Sequence, residues 1–237
     1  MSTSGCGGAE HESKAAAWIQ GLIVPALFPP WTNTATRVVL VVMGGGLATA
    51  LAMPMIYARS PFATGQGDPL LQPVQFDHRH HVRDDGIDCL YCHEGAERSP
   101  FAGVPASEVC MGCHNQIWND SSLLAPVRDS VASGQPIAWQ RVHSLPDFVY
   151  FDHSIHVTRG IGCVTCHGRV DQMASVYQVH PLTMKWCLDC HRDPAPNLRP
   201  RDQITSMTWT ASSPELGEEL ARHYGTRRLT HCSTCHR

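Results

Sequence analysis

The longest uncharged apolar stretch of the chain covers residues 38–57 and reads VVLVVMGGGLATALAMPMIY, with Arg37 before it and Arg59 after it. Twenty helical residues rise by about 30 Å, which is the thickness of a bilayer core. The pattern therefore predicts a transmembrane helix over residues 37–58. A cleaved signal peptide gives a similar pattern, because Ala50-Leu51-Ala52 resembles a cleavage site, but the long segment ahead of the stretch favours an uncleaved anchor.

Three further regions lie on either side of this predicted helix. Residues 1–36 form a cytoplasmic or interfacial segment, in which the apolar run Trp18 to Trp31 is broken by proline and is too short to span a bilayer. Residues 59–75 are rich in Pro and Gly, which predicts an extended linker. Residues 76–237 form a single domain on the opposite side of the membrane.

Capping signals predict two short helices within that domain. One begins at the Ser121-Ser122 pair and ends near Gly134. The other has Ser213 as its N-cap, Pro214 at its first helical position and Gly225 as its stop. We expect both helices to serve as scaffolding.

The motif C-x-x-C-H occurs five times within residues 76–237, and it is the attachment site of a c-type haem. Its two thiols form thioethers with the haem vinyl groups, and the following His is the proximal ligand of the iron. The sequence therefore predicts five covalently bound haem c groups. The predicted thioether residues are Cys89, Cys92, Cys110, Cys113, Cys163, Cys166, Cys187, Cys190, Cys232 and Cys235. The predicted proximal ligands are His93, His114, His167, His191 and His236.

Zinc sites and disulfides also use C-x-x-C pairs, but both fit this sequence poorly. A structural zinc ion needs four ligands, usually from two such pairs, whereas here the number of pairs is odd and His follows every one of them. The motifs use ten of the eleven cysteines, which leaves Cys6. We interpret Cys6 as a free thiol in a polar tail.

Five haems attached within residues 89–236 leave few side chains to build a core around each cofactor. The porphyrins themselves must then form much of the core. The predicted fold class is a multihaem cytochrome c, mostly irregular with short α-helices packed on five c-type haems, plus one N-terminal transmembrane helix. Because c-type haem is attached outside the cytoplasmic membrane, we expect a single-pass protein of the cytoplasmic membrane with its haem domain on the periplasmic or extracytoplasmic side.

The formal net charge is −3, and two propionates per haem make the holoprotein more acidic still. This balance gives no argument for nucleic-acid binding. Six arginines nevertheless gather near the last two motifs, where guanidinium groups either pair with propionates or form a solvated basic face. They are Arg192, Arg199, Arg201, Arg227, Arg228 and Arg237.

The distal ligands of the irons are sought among the remaining His residues. The pattern F-x-H-x-x-H occurs twice, each time shortly before a pair of C-x-x-C-H motifs, and two His three apart share one helical face with a small angular offset. Each element can therefore reach two irons. Its predicted ligands are His78 and His81 in the first copy, and His153 and His156 in the second. The fifth distal ligand is either His143 or Met184, and a thioether ligand would raise the potential of that haem.

The run RVHSLPDFVYFDHSIHVTRGIGCVTCHGRVDQM from Arg141 onward, followed by PLTMKWCLDCHR, resembles the pentahaem cytochrome c subunit of alternative complex III. The resemblance covers about residues 37–237. That family is a membrane-bound quinol:electron-acceptor oxidoreductase of the respiratory chain. The resemblance implies polytopic membrane subunits as partners, an iron–sulfur subunit as electron donor, and a mono-haem cytochrome c or another periplasmic carrier as acceptor.

The leading function hypothesis is an electron-relay subunit that is not catalytic alone, since six-coordinate haems transfer electrons without losing a ligand. Two alternatives remain. One is a membrane-anchored multihaem quinol dehydrogenase of the tetrahaem type that feeds a soluble periplasmic reductase. The other is a multihaem reductase, acting for example on nitrite, but such enzymes keep one iron open and often replace a proximal His, whereas all five motifs here carry His.

Overall fold

The structure is a computed structural model that describes residues 27–236, and the chain divides into two units, Met1–Met55 and Ile56–Arg237. Each unit is described by itself. The predictions for Cys6 and for most of the Trp18 to Trp31 segment lie outside the described residues.

The N-terminal apolar stretch forms one helix, α1, over Trp31–Tyr57. It begins earlier than the predicted residue 37, because the Thr32 amide and hydroxyl both donate to the carbonyl of Pro29 and close the first turn. Pro54 lies inside the helix and does not end it. No residue of α1 is buried. The helix contains 27 residues and has a mean hydropathy of 2.0, so it is long and apolar enough to cross a membrane, and signal sequences share these properties.

The second unit consists of short helices joined by irregular segments. Apart from two isolated bridges, Gln66–Gln178 and Ile161–Leu198, no β-structure occurs in the described part of the chain. The expected mostly irregular, helical multihaem fold is thus confirmed in its secondary structure. The α-helices are α2 Pro61–Thr64, α3 Cys89–Cys92, α4 Ser107–His114, α5 Ala125–Ser133, α6 His153–Thr158, α7 Cys163–His167, α8 Met184–Arg192, α9 Glu215–His223 and α10 Cys232–Cys235. One π-helix, π1, spans Arg79–Asp84, and 3₁₀ turns span Glu94–Glu97, Ser122–Leu124, Val170–Gln172, Ala195–Asn197 and Arg201–Gln203.

Both helices predicted from capping signals are present. Ser121 accepts a hydrogen bond from the Leu123 amide at 3.3 Å, and α5 ends at Gly134, whose φ of +69° is the left-handed conformation that favours glycine. The second helix is α9, in which Pro214 occupies the N-cap position that the sequence assigned to Ser213. The helix ends close to the predicted stop, where Gly225 adopts the left-handed conformation with a φ of +61°.

The polypeptide's own apolar cores are small and separate, as expected for a domain whose core is largely cofactor. Each of the three clusters contains only three buried side chains. They are Val74, Leu124 and Val127; Ala96, Val157 and Ile204; and Leu198, Leu220 and Tyr224. The second cluster matters for the site, because Leu90 and Cys163 from two different C-x-x-C-H motifs pack against it.

The linker predicted over residues 59–75 is more ordered than an extended tether. Its first part forms the turn α2, which Ser60 caps by accepting from the Ala63 amide. The residues after α2 bind the segment 178–179: the Gly67 amide donates to the Gln178 carbonyl at 2.8 Å, and the Gln66 side chain donates to the Val179 carbonyl at 2.7 Å. Gln178, only 5% exposed, returns a bond from its side chain to the Thr64 carbonyl at 3.2 Å. We call this contact the linker clamp.

Candidate haem-binding sites

Each C-x-x-C-H motif lies on a short helix, and we number the motifs as sites 1 to 5 in chain order. Sites 1, 3 and 5 begin α3, α7 and α10, while sites 2 and 4 form the last turns of α4 and α8. Cysteines three apart on a helix lie on one face, so both thiols of a motif can reach the same edge of one porphyrin. None of these ten cysteines forms a disulfide, which is compatible with thioether bonds to haem.

Backbone carbonyls orient four of the five proximal imidazoles. A carbonyl oxygen only accepts, so in each case the ring Nδ1–H must donate to it, and the lone pair of Nε2 is left for a metal. The acceptors fix the direction of each ring from a neighbouring loop. They are Gly103 for His93 at 2.7 Å, Ile117 for His114 at 3.0 Å, Leu229 for His191 at 3.0 Å and Phe148 for His236 at 3.1 Å.

The fifth proximal residue, His167, is held by its surroundings. Burial, together with the nearby rings of His143 and His153, lowers the pKa of His167 to about 3. It is therefore neutral at physiological pH, which is the form of imidazole that binds a metal.

The two F-x-H-x-x-H elements have nearly the same three-dimensional structure. Phe76 lies edge-on to His78 at 4.7 Å and stacks on His81 at 4.2 Å, and Phe151 repeats these contacts with its own two histidines at 4.7 and 4.5 Å. The second His of each element donates from Nδ1 to the carbonyl of the preceding Asp, at 2.9 and 2.7 Å. These aspartates, Asp77 and Asp152, are positioning residues that the sequence reasoning missed, although the identical triplet Phe-Asp-His in both elements was the available signal.

Three pairs of imidazoles face each other at the separation that one iron requires. Two imidazoles on opposite sides of one metal have ring centroids about 6 Å apart, because each metal–nitrogen bond is about 2 Å long. The observed separations are 6.2 Å for His81 and His114, 6.3 Å for His153 and His167, and 6.0 Å for His156 and His191. These side chains therefore fit a six-coordinate haem at sites 2, 3 and 4.

His78 and His143 each contain a buried ring nitrogen with no hydrogen-bond partner, namely Nδ1 of His78 and Nε2 of His143. Burial lowers the pKa of both residues to about 4, and the ring of His93 contributes to the effect at His78. An orphaned polar atom is costly unless something binds it. The ring of His143 lies 4.3 Å from that of His167, and this contact is shorter than the separation of a trans axial pair.

The other residues of interest are Met184, His80 and His180. Met184, the other predicted fifth distal ligand, is the first residue of α8 and is 66% exposed. His80 contacts the ring of His81 at 5.5 Å, faces Asp85 at 3.5 Å and stacks on Trp118. His180 stacks on Trp186 at 5.1 Å.

Contacts between cysteines show which sites are neighbours. Burial and the adjacent Cys110 raise the pKa of the Cys92 thiol, which places sites 1 and 2 together. A hydrogen bond to Cys163, together with burial, raises the pKa of the Cys89 thiol and joins sites 1 and 3. Sites 3 and 4 meet at Cys166, whose pKa burial raises to about 12 with a contribution from Cys190.

The last contact in this series joins sites 4 and 5. Burial and then Cys235 raise the pKa of the Cys187 thiol. In addition, the carbonyl that orients His191 belongs to Leu229, just ahead of the site 5 motif. These contacts link the five sites in the order 2, 1, 3, 4, 5.

The zinc alternative gains no support from the geometry. Within residues 27–236, no group of three or more His, Cys, Asp and Glu side chains converges in the way that a metal ion bound by the protein alone requires. The paired thiols and facing imidazoles instead match the covalent and axial bonds of haem c.

Comparison with known families defines the class of protein. Residues 149–237 match the model of the family described as cytochrome c7 and related cytochrome c. This part of the chain is similar to multihaem cytochromes c with a c7-like fold, a class that binds haem c covalently and transfers electrons.

A more specific similarity links the chain to a subunit of a respiratory complex. It is 36% identical over 97 residues to the protein of Nitratidesulfovibrio vulgaris described as menaquinone reductase, multihaem cytochrome c subunit. The match covers 40% of this chain and 45% of that relative, so it spans less than half the length of the relative.

Proposed function

We propose that this chain is a membrane-anchored electron-relay subunit that carries electrons through five covalently bound haem c groups. The observation that carries this proposal is the set of facing imidazole pairs beside C-x-x-C-H motifs, with ring centroids 6.0 to 6.3 Å apart. Haem iron bound by two imidazoles supplies reversible one-electron chemistry. Because both axial positions are filled by the protein, such a site favours electron transfer over substrate binding.

In this proposal each F-x-H-x-x-H element serves two sites. His81 and His156 provide distal ligands at sites 2 and 4, and His153 does so at site 3, as their ring separations support. The repeated ring contacts of the two elements, and the effect of His93 on the pKa of His78, support His78 as the distal ligand at site 1. The ligand at site 5 remains a choice between His143, with its orphaned Nε2, and Met184.

The backbone hydrogen bonds and the stacking phenylalanines fix the orientation of the imidazole ligands in this relay. They hold each imidazole ring so that Nε2 points at the metal position in both oxidation states, which keeps the structural change on electron transfer small. The links between neighbouring sites support the path 2, 1, 3, 4, 5. We propose that electrons enter at one end of this path and leave at the other.

We further propose that α1 anchors the chain in the cytoplasmic membrane with the haem domain on the periplasmic side, since haem c is attached there. The partners are the other subunits of a quinone-linked complex of the alternative complex III type: polytopic membrane subunits, an iron–sulfur subunit and a mono-haem cytochrome c or other periplasmic carrier. The similarity to a menaquinone reductase subunit favours a second candidate, in which electrons pass along the same haems toward menaquinone. Purification of the native complex and assay of quinol oxidation and quinone reduction separates the two directions.

The proposed haem chemistry is tested on the purified holoprotein. Intact mass after acid and acetone treatment should show five added haems, and EPR should show low-spin signals only. Replacement His156→Ala should convert a single haem to high spin without loss of covalent attachment. His223→Ala, which removes an exposed histidine at the end of α9 whose ring packs against Tyr224, should leave the spectrum unchanged. Stoichiometric binding of CO to the reduced wild-type protein would contradict the relay, because it requires an open iron.

A further inference from the structure

Arg199 is the one buried arginine among the described residues, with 6% of its surface exposed. Its Nη1 donates to the carbonyls of Gln203 and Ser206 at 3.3 and 2.9 Å, while its Nε is buried without a partner. None of the ion pairs formed within residues 27–236 includes Arg199. A guanidinium stays charged in proteins, so a positive charge that no Asp or Glu of the described residues balances is held inside the domain.

The surroundings of Arg199 place this charge at a haem attachment point. Its side chain lies against Gly162, the residue before Cys163, and a Cβ at Gly162 would collide with the guanidinium. The ring of Trp209 covers the other side, with its centroid 5.2 Å from the Arg199 Cζ. Glycine at position 162 therefore makes room for the cation beside the site 3 cysteine.

The segment that follows Arg199 connects sites 1 and 3. The Ile204 carbonyl accepts from the Cys163 amide at 3.0 Å, and the Thr205 carbonyl lies 3.9 Å from the Cys89 Sγ. The Thr205 hydroxyl donates to Asp88, the N-cap residue of α3, at 2.6 Å. Arg199 thus lies in a loop that touches the attachment cysteines of two neighbouring sites.

The chemistry of haem attachment bears on what this cation can do. The cysteines of C-x-x-C-H bond to the vinyl edge of the porphyrin, and the propionates project from the opposite edge. A guanidinium packed against Gly162, the residue before Cys163, would therefore lie near the vinyl edge of the haem attached there and away from the propionates of that haem. The burial of Arg199 also disagrees with a solvated basic face.

We propose that Arg199 is a tuning residue, a buried fixed cation that raises the reduction potential of the haem at site 3 and, more weakly, of the haem at site 1. Reduction adds one electron to each haem, and an unbalanced positive charge in a low-dielectric interior favours that addition. The inference rests on the proposed relay function. It assigns a raised potential to the middle of the path 2, 1, 3, 4, 5.

The test is a redox titration of holoprotein variants, followed by optical and EPR spectra. Arg199→Gln should lower the midpoint potential of one low-spin component clearly, lower a second one less, and leave the others unchanged. Arg199→Lys keeps the charge and should restore the wild-type potentials. Arg201→Gln is the matched control, because Arg201 is exposed, lies in the same loop and donates to the Thr158 carbonyl at 3.0 Å.

Three outcomes overturn the inference: unchanged potentials in Arg199→Gln, equal shifts in the Gln and Lys variants, or a uniform shift of all components. If the Arg199→Gln variant does not accumulate, the midpoint potentials of the haems in the wild-type protein test the proposal. Its site 3 component, identified as the signal lost in His153→Ala, should titrate above those of sites 2 and 4, and a lower value refutes the proposal. Failure of the relay function is seen separately, as missing haem mass in the wild-type protein.

Discussion

The linker clamp leads to a quantitative prediction about local opening. Two side-chain hydrogen bonds, from Gln66 to the Val179 carbonyl and from Gln178 to the Thr64 carbonyl, flank the backbone bond from the Gly67 amide to the Gln178 carbonyl. Replacing both glutamines by alanine removes the two side-chain bonds and keeps the backbone bond. At about 1 kcal/mol each, their loss destabilises the closed state by about 2 kcal/mol, which corresponds to about 30-fold more opening.

Hydrogen exchange of the Gly67 amide measures this opening directly, because the amide exchanges only when its bond to Gln178 breaks. We expect about 30-fold faster exchange in the double variant, confined to the linker and to the segment around residues 178–180. The matched control is Gln75→Ala, whose side chain bonds only to the nearby Gln72 carbonyl at 3.0 Å. Unchanged exchange of Gly67 in the double variant, or an equal increase in the control, would show that the clamp does not hold the linker.

Three further predictions concern packing and protonation. Gly162→Ala should lower the melting temperature of the holoprotein, by a destabilisation of about 1–3 kcal/mol, because its Cβ would meet Arg199; Gly45→Ala, on α1 and with open space at its Cβ, should not. Leu220→Ala should cost about 2–5 kcal/mol in thermal unfolding, since it removes a buried member of a three-residue core, and the more exposed Leu229 serves as its control. Because its hydrogen bond to Arg79 lowers the pKa of Asp77 from 3.8 to about 2, the stability of the folded state should fall as pH falls from about 4 to about 2, and Asp77→Asn should weaken this dependence in thermal unfolding at acid pH; an unchanged dependence would contradict the ion pair.

The sequence predicted the features that depend on local chemistry. The apolar run produced α1, and the glycines at 134 and 225 stand at the ends of the two predicted helices, because left-handed φ values favour glycine regardless of the fold. The two F-x-H-x-x-H elements were recognised from their pattern alone. Their internal contacts involve only six consecutive residues each, so the sequence contained all the required information.

The features that the sequence could not predict depend on contacts between distant residues. Gln178 binds a linker more than a hundred positions away, and Arg199 meets Gly162 only after the chain has returned to site 3. The order of the sites is also a tertiary property, since Cys89 meets Cys163 while Cys110 lies on the other side of site 1. Composition and spacing contain no information on which distant residues meet.

The self-contained geometry of the Phe-Asp-His elements has a consequence for protein engineering. Everything that aims the second imidazole, the stacked phenylalanine ring and the aspartate carbonyl, is encoded within one hexapeptide. Such a hexapeptide can be transferred to another protein as one unit. Grafted ahead of a lone c-type motif in a designed scaffold, it should deliver a correctly aimed axial donor without any redesign of the host.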